Sequence, residues 1–113
     1  MFNLKAGNLK TIGTLKSEEI SYVLNHAIVI KGNYINIFYT HKPTNKIAFL
    51  VSKSVKGAVH RNRARRRLRE AWRKQSYTSN VKAHVCLLIK VESEKVHFNK
   101  IQDELEKLLK RIS

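Results

Sequence analysis

The stretch "KIAFLVSKSVKGAVHRNRARRRLREAWR" (Lys46–Arg73) holds two kinds of periodicity and a break between them. "KIAFLVSK" (Lys46–Lys53) is a short apolar run of the length of a buried strand. Gly57 ends a short link. From there Ala64, Leu68, Ala71 and Trp72 recur at i, i+4, i+7 and i+8, one stripe of a helix that runs to about Gln75. A strand followed by a helix sets the class of the whole chain, and the flanking segments extend it in both directions.

On the C-terminal side, "SYTSN" (76–80) reads as a loop. "VKAHVCLLIKV" (Val81–Val91) reads as another strand. Phe98, Ile101, Leu105, Leu108, Leu109 and Ile112 then repeat at helical spacing, which predicts a closing amphipathic helix. On the N-terminal side, "AIVI" (Ala27–Ile30) and "YINIFYT" (Tyr34–Thr40) flank the turn signal "KGN", a hairpin pattern. Before them, Ser17 reads as a helix N-cap, with Glu18 and Glu19 suited to the positive end of the dipole. Ile20, Val23 and Leu24 supply that helix's apolar stripe. Residues 1–16 are basic, weakly periodic and read as a partly loose arm. The predicted order is α-β-β-β-α-β-α, an α+β two-layer sandwich with helices against a four-stranded sheet, in a single domain over 1–113.

The chain has 113 residues, 23 Lys and Arg against 8 Asp and Glu, and a net charge of +15. That excess exceeds what solubility needs and implies a polyanionic partner, nucleic acid first and an acidic membrane second. Cys86 is the one cysteine, so no internal disulfide is possible and a reducing, cytoplasmic setting is expected. "MFNLKAGNLK" has no apolar run of signal-peptide length, and "IAFLV" and "VCLLI" are far too short to span a bilayer.

The helix over His60–Arg73 carries seven arginines and one acid, Glu70. Arg61, Arg65, Arg69 and Arg73 make three successive i,i+4 like-charge pairs, each unfavourable by roughly 0.2–0.5 kcal/mol. Arg61 and Arg63 also sit near the positive helix end. Pairs Arg66–Glu70 and Glu70–Lys74 would offset part of this. A solvated face would be better served by mixed charges. Polyphosphate would neutralise the repulsion, and guanidinium forks suit phosphate and base faces.

The other chemistry-bearing residues are dispersed. His26, His41, His60, His84 and His97 show no metal-ligand spacing, and no carboxylate pair suited to acid–base work stands out. Tyr39 reads either as a half-buried sheet aromatic or as a stacking residue. Trp72 reads as core, and Cys86 as a small buried apolar group.

With these residues in view, "VSKSVKGAVHRNRARRRLREAWR" resembles the signature of the bacterial ribonuclease P protein subunit. The matching positions are Lys53, Ala58, Val59, Arg61, Asn62, Arg65, Arg66 and Arg69, and the predicted element order is similar to that family's over nearly the whole chain. The resemblance implies a sandwich with a left-handed βαβ crossover. It implies a catalytic RNA subunit as partner and precursor tRNA as substrate, with no obligate protein partner. The RNA and its Mg2+ carry out hydrolysis of the 5′ leader, the protein alone being inactive and binding no cofactor. By position, Lys53, Arg61, Asn62, Arg65, Arg66, Arg69 and Arg73 would bind RNA. Ile20 and Leu24 from the first helix, with Ile37 and Tyr39 from the sheet, would line a cleft for the single-stranded leader. Ile20 and Leu24 stand where the family often has Phe, so Tyr39, Tyr34 or Tyr22 would have to supply the stacking surface. Ser54 stands where a second basic residue commonly follows the lysine. Metal held jointly with RNA phosphates near Asn62 is left open. Two other readings share the charge and size. One is a ribosomal or other structural RNA-binding protein without a role in cleavage. The other is a membrane-active helix, whose narrow apolar face is needed for the core.

Overall fold

The fold is taken from a computed structural model, which describes residues 4–5, 13–75, 78–79 and 82–112. The elements in chain order are β1 (Leu4–Lys5), β2 (Gly13–Thr14), α1 (Ser17–His26), β3 (Ile28–Lys31), β4 (Ile35–His41), β5 (Lys46–Val51), α2 (Ala58–Arg73), β6 (Thr78–Ser79), β7 (Ala83–Ile89), a 3-10 turn (Ser93–Lys95) and α3 (Phe98–Leu109). The main sheet has five strands in the order β2-β5-β7-β4-β3, and β1 pairs with β6 in a separate two-stranded ladder.

Four of the main strands match the sequence reading; β2 is the addition. Gly13 and Thr14 pair in parallel with Lys46 and Ile47, and the Leu15 N–H donates to the Ile47 carbonyl at 3.0 Å. Two residues of Gly-Thr carry no alternation, so this strand exists only through its partner. Likewise, part of the 76–80 loop pairs with part of the basic arm: Leu4 opposes Ser79 and Lys5 opposes Thr78. The remaining residues of that arm up to 12 lie outside the described residues.

The sheet carries helices on both faces, not on one as the two-layer reading had it. On one face, Ile35, Ile37, Tyr39, Ile47, Val51, Val85, Leu87 and Ile89 pack with Ala64, Leu68, Ala71 and Trp72 of α2 and Ile101, Leu105, Leu108 and Leu109 of α3. On the other, Ala48 and Cys86 pack with Leu15 and Val23, with Ile20, Ala27, Phe38 and Leu50 at the margin. β7 lies between β5 and β4 and is covered on both sides, which is why "VCLLI" reads as an unbroken apolar run. Burial raises the Cys86 thiol pKa to about 12 and keeps it inert.

Local chemistry fixes the ends. Lys16, not Ser17, holds the cap position of α1, and its N–H donates to the Glu19 carboxylate at 2.9 Å. In the β3–β4 turn, Glu104 of α3 accepts from the backbone N–H of Asn33 and, at 2.7 Å, of Tyr34. A side chain at Gly32 would meet the Ile35 carbonyl at 2.7 Å, so only glycine fits there. Gly57 leads into α2 with φ of 88°, a conformation that favours glycine.

His84 lies in the sheet row Thr40–His84–Lys46 and is only 7 % exposed. Its Nε2 is 3.2 Å from Thr44 Oγ1. Burial pushes its pKa below the ordinary 6.5; Glu19 opposes this, and Lys46 and Lys42 add to it. The unfolded chain therefore binds this proton more readily than the folded one. Stability will fall as pH drops through 6.5 toward the folded value. His84→Gln will flatten that part of a denaturation-versus-pH curve; an unchanged slope would show that other groups carry it.

Candidate nucleic-acid interface

α2 turns Ala64, Leu68, Ala71 and Trp72 inward, as its spacing predicts. Asn62, Arg63, Arg66, Arg67, Arg69, Arg73 and Lys74 are exposed, and Arg65 is half-buried. Among the described residues only two of the seven α2 arginines have an acid partner. Arg63 meets Glu94 at 2.9 Å and Arg73 meets Glu70 at 3.3 Å. Glu70 therefore serves Arg73 at i+3 rather than Arg66 or Lys74. The repulsion along the helix is left largely uncompensated.

Several cations are held in position by neutral groups. Arg65 Nη1 donates to Asn62 Oδ1 at 3.3 Å, so the asparagine orients an arginine one turn away. The Arg69 guanidinium lies 5.4 Å from the Phe49 ring centre. Arg67 and Lys74 lie 5.5 and 5.3 Å from that of Phe98. Such contacts limit side-chain freedom without consuming charge, so less entropy is lost when phosphate binds.

Arg61 is different. Its Nη1 donates to the carbonyls of Ser52 at 2.9 Å and Val55 at 3.0 Å, and its Nη2 to Val51 at 3.1 Å. It ties the end of β5 and the link to the first turn of α2. Three of its five donors are spent on backbone, so its main contribution is to place the helix. Lys53, in the same link, is exposed.

The sheet half of the expected cleft needs correcting. Ile37 and Tyr39 are 0 % and 2 % exposed and belong to the core beneath α2 and α3, on the face away from α1. Strand side chains alternate, so the face toward α1 carries the other parity. There the cross-strand rows are Lys31–Asn36–Leu88–Leu50, Val29–Phe38–Cys86–Ala48 and Thr40–His84–Lys46. α1 covers the middle of these rows with Val23 fully buried, Ile20 half-buried and Leu24 44 % exposed. Asn36, Phe38, Leu50 and Leu88 are half-buried on that face. Among the described residues Phe38 is thus the aromatic side chain that these sheet rows turn toward α1. "INIFYT" contained the signal: the set Ile35, Ile37, Tyr39 is wholly apolar and takes the deeper core, leaving the mixed set Asn36, Phe38, Thr40 for the thinner layer.

The other tyrosines do not replace an α1 aromatic there. Tyr34 packs against the α2/α3 core. Tyr22 is stacked on His26 at 4.2 Å and has the Lys42 ammonium 4.0 Å from its ring centre. Ile20 instead lines a cavity of about 390 Å³ at the edge of β5 together with Thr14, Leu15, Ile47, Ala48, Phe49, Leu50 and Arg69, Phe49 being its aromatic ring. Arg69 of α2 thus reaches the same hollow as Ile20 of α1. The basic helix face and the α1 side of the sheet are one continuous surface.

A sequence model of the ribonuclease P family matches residues 10–113. The chain belongs to the ribonuclease P protein family. It is 31 % identical over 105 residues to the ribonuclease P protein component of Nitratiruptor sp., covering 92 % of this chain and 95 % of that one. The solved ribonuclease P protein from Thermotoga maritima superposes with a TM-score of 0.73 at 18 % identity, over 88 % of this chain and 97 % of that one. That from Staphylococcus aureus gives 0.70 at 18 % identity, over 89 % and 94 %. These structural likenesses concern the fold alone. Membership of the ribonuclease P family carries an RNA partner with it and sets aside the ribosomal reading. Among the described residues no helix is long and apolar enough to cross a membrane.

Proposed function

We propose that this chain is the protein subunit of a cytoplasmic ribonuclease P. In this reading it binds the catalytic RNA through α2 and the precursor tRNA leader along the α1 side of the sheet, promoting release of the leader to give the mature tRNA 5′ end. The observation that carries the reading is the cavity shared by Arg69 and Ile20. It lets one RNA-bound helix present a single-stranded segment to an apolar hollow without a break in the surface. Arg65, Arg66, Arg67, Arg69 and Lys74, with Lys53, make the phosphate contacts, Asn62 orients Arg65, and Arg73, paired with Glu70, stands beside them. Arg61 acts by holding α2 against β5. Ile20 and Leu24 face the leader from the helix, and Phe38, Leu50 and Leu88 take the place of Ile37 and Tyr39 on the sheet. Phe38 offers the ring on which a base can stack. The left-handed sense of the β5–α2–β7 crossover is part of the same reading.

Hydrolysis and the Mg2+ it needs are assigned to the RNA. Mg2+ requires oxygen ligands in near-octahedral array. The one grouping of three ligating side chains among the described residues includes an imidazole, a donor set that does not suit it. Reconstitution tests the proposal. Mixed with a bacterial ribonuclease P RNA and labelled precursor tRNA at low Mg2+, the protein will stimulate 5′ cleavage over RNA alone. Tight RNA binding without stimulation by a cognate RNA would point instead to a purely structural RNA-binding role.

A further inference from the structure

His60 and the pair Glu92 and Glu94 are more than thirty residues apart in the chain, and nothing in their spacing links them. The fold brings His60, in the first turn of α2, against Glu92 and Glu94 at the 3-10 turn after β7. One ligand atom from each lies within 4.8 Å of the others. We propose that these three side chains form a binding site for a divalent transition-metal ion of the zinc class, in departure from the expectation that the protein alone binds no metal.

Three observations support this. First, His60 Nδ1 is shielded from solvent and makes no hydrogen bond. Its nearest carboxylate oxygen, Glu94 Oε2, is 3.4 Å away. Two ligands of one tetrahedral ion with bonds of about 2.0–2.1 Å stand about 3.3–3.4 Å apart. The imidazole and the carboxylate already have that separation. Second, Arg63 Nη1 donates to the other oxygen, Glu94 Oε1, at 2.9 Å. This fixes the carboxylate plane and leaves Oε2 turned to His60, the outer-shell support typical of metal ligands. Third, the remaining ligand is loosely held: Glu92 Oε2 is 3.8 Å from Lys95 Nζ, too long for a hydrogen bond, so a small side-chain movement brings it onto the ion.

One nitrogen and two carboxylate oxygens favour Zn2+ or Co2+ over Mg2+ or Ca2+. Arg63 and the positive end of α2 oppose a cation, and the two carboxylates offset them. Three protein ligands leave a fourth position open. On the ribonuclease P reading, a phosphate oxygen of RNA bound along α2 can fill it. The ion would then join protein to RNA one turn from Arg63 and two turns from Arg67.

The test uses the full-length free protein, so its outcome does not depend on the cleavage reading. Zn2+ is titrated calorimetrically in a non-chelating buffer, and Co2+ absorption reports the coordination geometry. The expected result is one equivalent of Zn2+, tetrahedral Co2+ bands and no displacement by millimolar Mg2+. His60→Ala and Glu92→Gln should each weaken Zn2+ about tenfold or more while the circular dichroism spectrum is unchanged. His97→Ala should leave it unaltered. No Zn2+ uptake by the unsubstituted chain, or full affinity in the folded His60→Ala protein, would overturn the proposal.

Discussion

The affinity of this protein for its RNA will fall about 10³-fold when salt is raised from about 50 to about 200 mM. Each phosphate neutralised releases a counterion, so log K falls against log salt with a slope of roughly −0.9 per contact on a duplex and −0.7 on a single strand. The structure says which cations to count. Arg61 is committed to backbone carbonyls, and Arg63 and Arg73 have carboxylate partners. Arg65, Arg66, Arg67, Arg69, Lys74 and Lys53 have no acid partner among the described residues. Six contacts give a slope near −5 on the duplex scale, which is about three orders of magnitude over a fourfold change in salt. Arg66→Ala will reduce the slope by about one unit. Arg61→Ala will act differently: it will destabilise the fold and leave the slope nearly unchanged. A flat salt curve, or equal slopes lost by both variants, would be incompatible with this division of labour.

The second large effect is on stability. Trp72 is 0 % exposed, packs edge-on to Phe49 with ring centres 6.4 Å apart, and lies among the contacts of α2 with the sheet. Trp72→Ala will cost about 3–5 kcal/mol, the range for removing a buried aromatic and leaving its cavity. Set against a typical total of about 5–15 kcal/mol, that puts the variant close to unfolding at physiological temperature. Urea denaturation will show it as a fall in midpoint. Trp72→Phe will lose less, because the cavity is smaller and because Trp72 Nε1–H has no hydrogen-bond partner. Removing an unsatisfied donor returns part of the desolvation penalty. Equal losses for Ala and Phe would mean that packing around the indole, rather than its volume, sets the cost.

The separate behaviour of Trp72 and Arg66 was legible in the sequence, because a helical stripe sorts side chains by angle alone. Ala64, Leu68, Ala71 and Trp72 are buried as spaced, and the arginines lie opposite. Ala83 to Ile89 was equally clear, since a strand covered on both faces shows no alternation. β4 was harder. Both parities of "INIFYT" hold apolar side chains, and a shift of one residue moves every side chain to the other face. Choosing Ile37 and Tyr39 for the cleft took the more apolar set, which is the set that the larger core claims. β2 was beyond sequence reading because Gly13 and Thr14 have no pattern apart from Lys46 and Ile47. Arg61 was counted with the other arginines because charge runs do not reveal which guanidinium will find backbone carbonyls. The meeting of His60 with Glu92 and Glu94 depends on tertiary structure. Glu92-x-Glu94 after an apolar strand was its only local trace.

The position of β7 also bears on how the chain is made. β2 pairs with β5 and β3 with β4, and only β7 joins these two pieces into one sheet. A nascent chain that has not yet reached residue 83 holds the β2–β5 and β3–β4 ladders as separate pieces, with no continuous main sheet. α2 leaves the ribosome with all its arginines while β7 and α3, which complete the surface supporting it, are still to come. Assembly is therefore a late step that depends on contacts distant in sequence, which slows folding. During that interval the most basic segment of the protein is exposed to the RNA around it, and a polyanion that quiets its self-repulsion can help it hold a helical shape until β7 arrives.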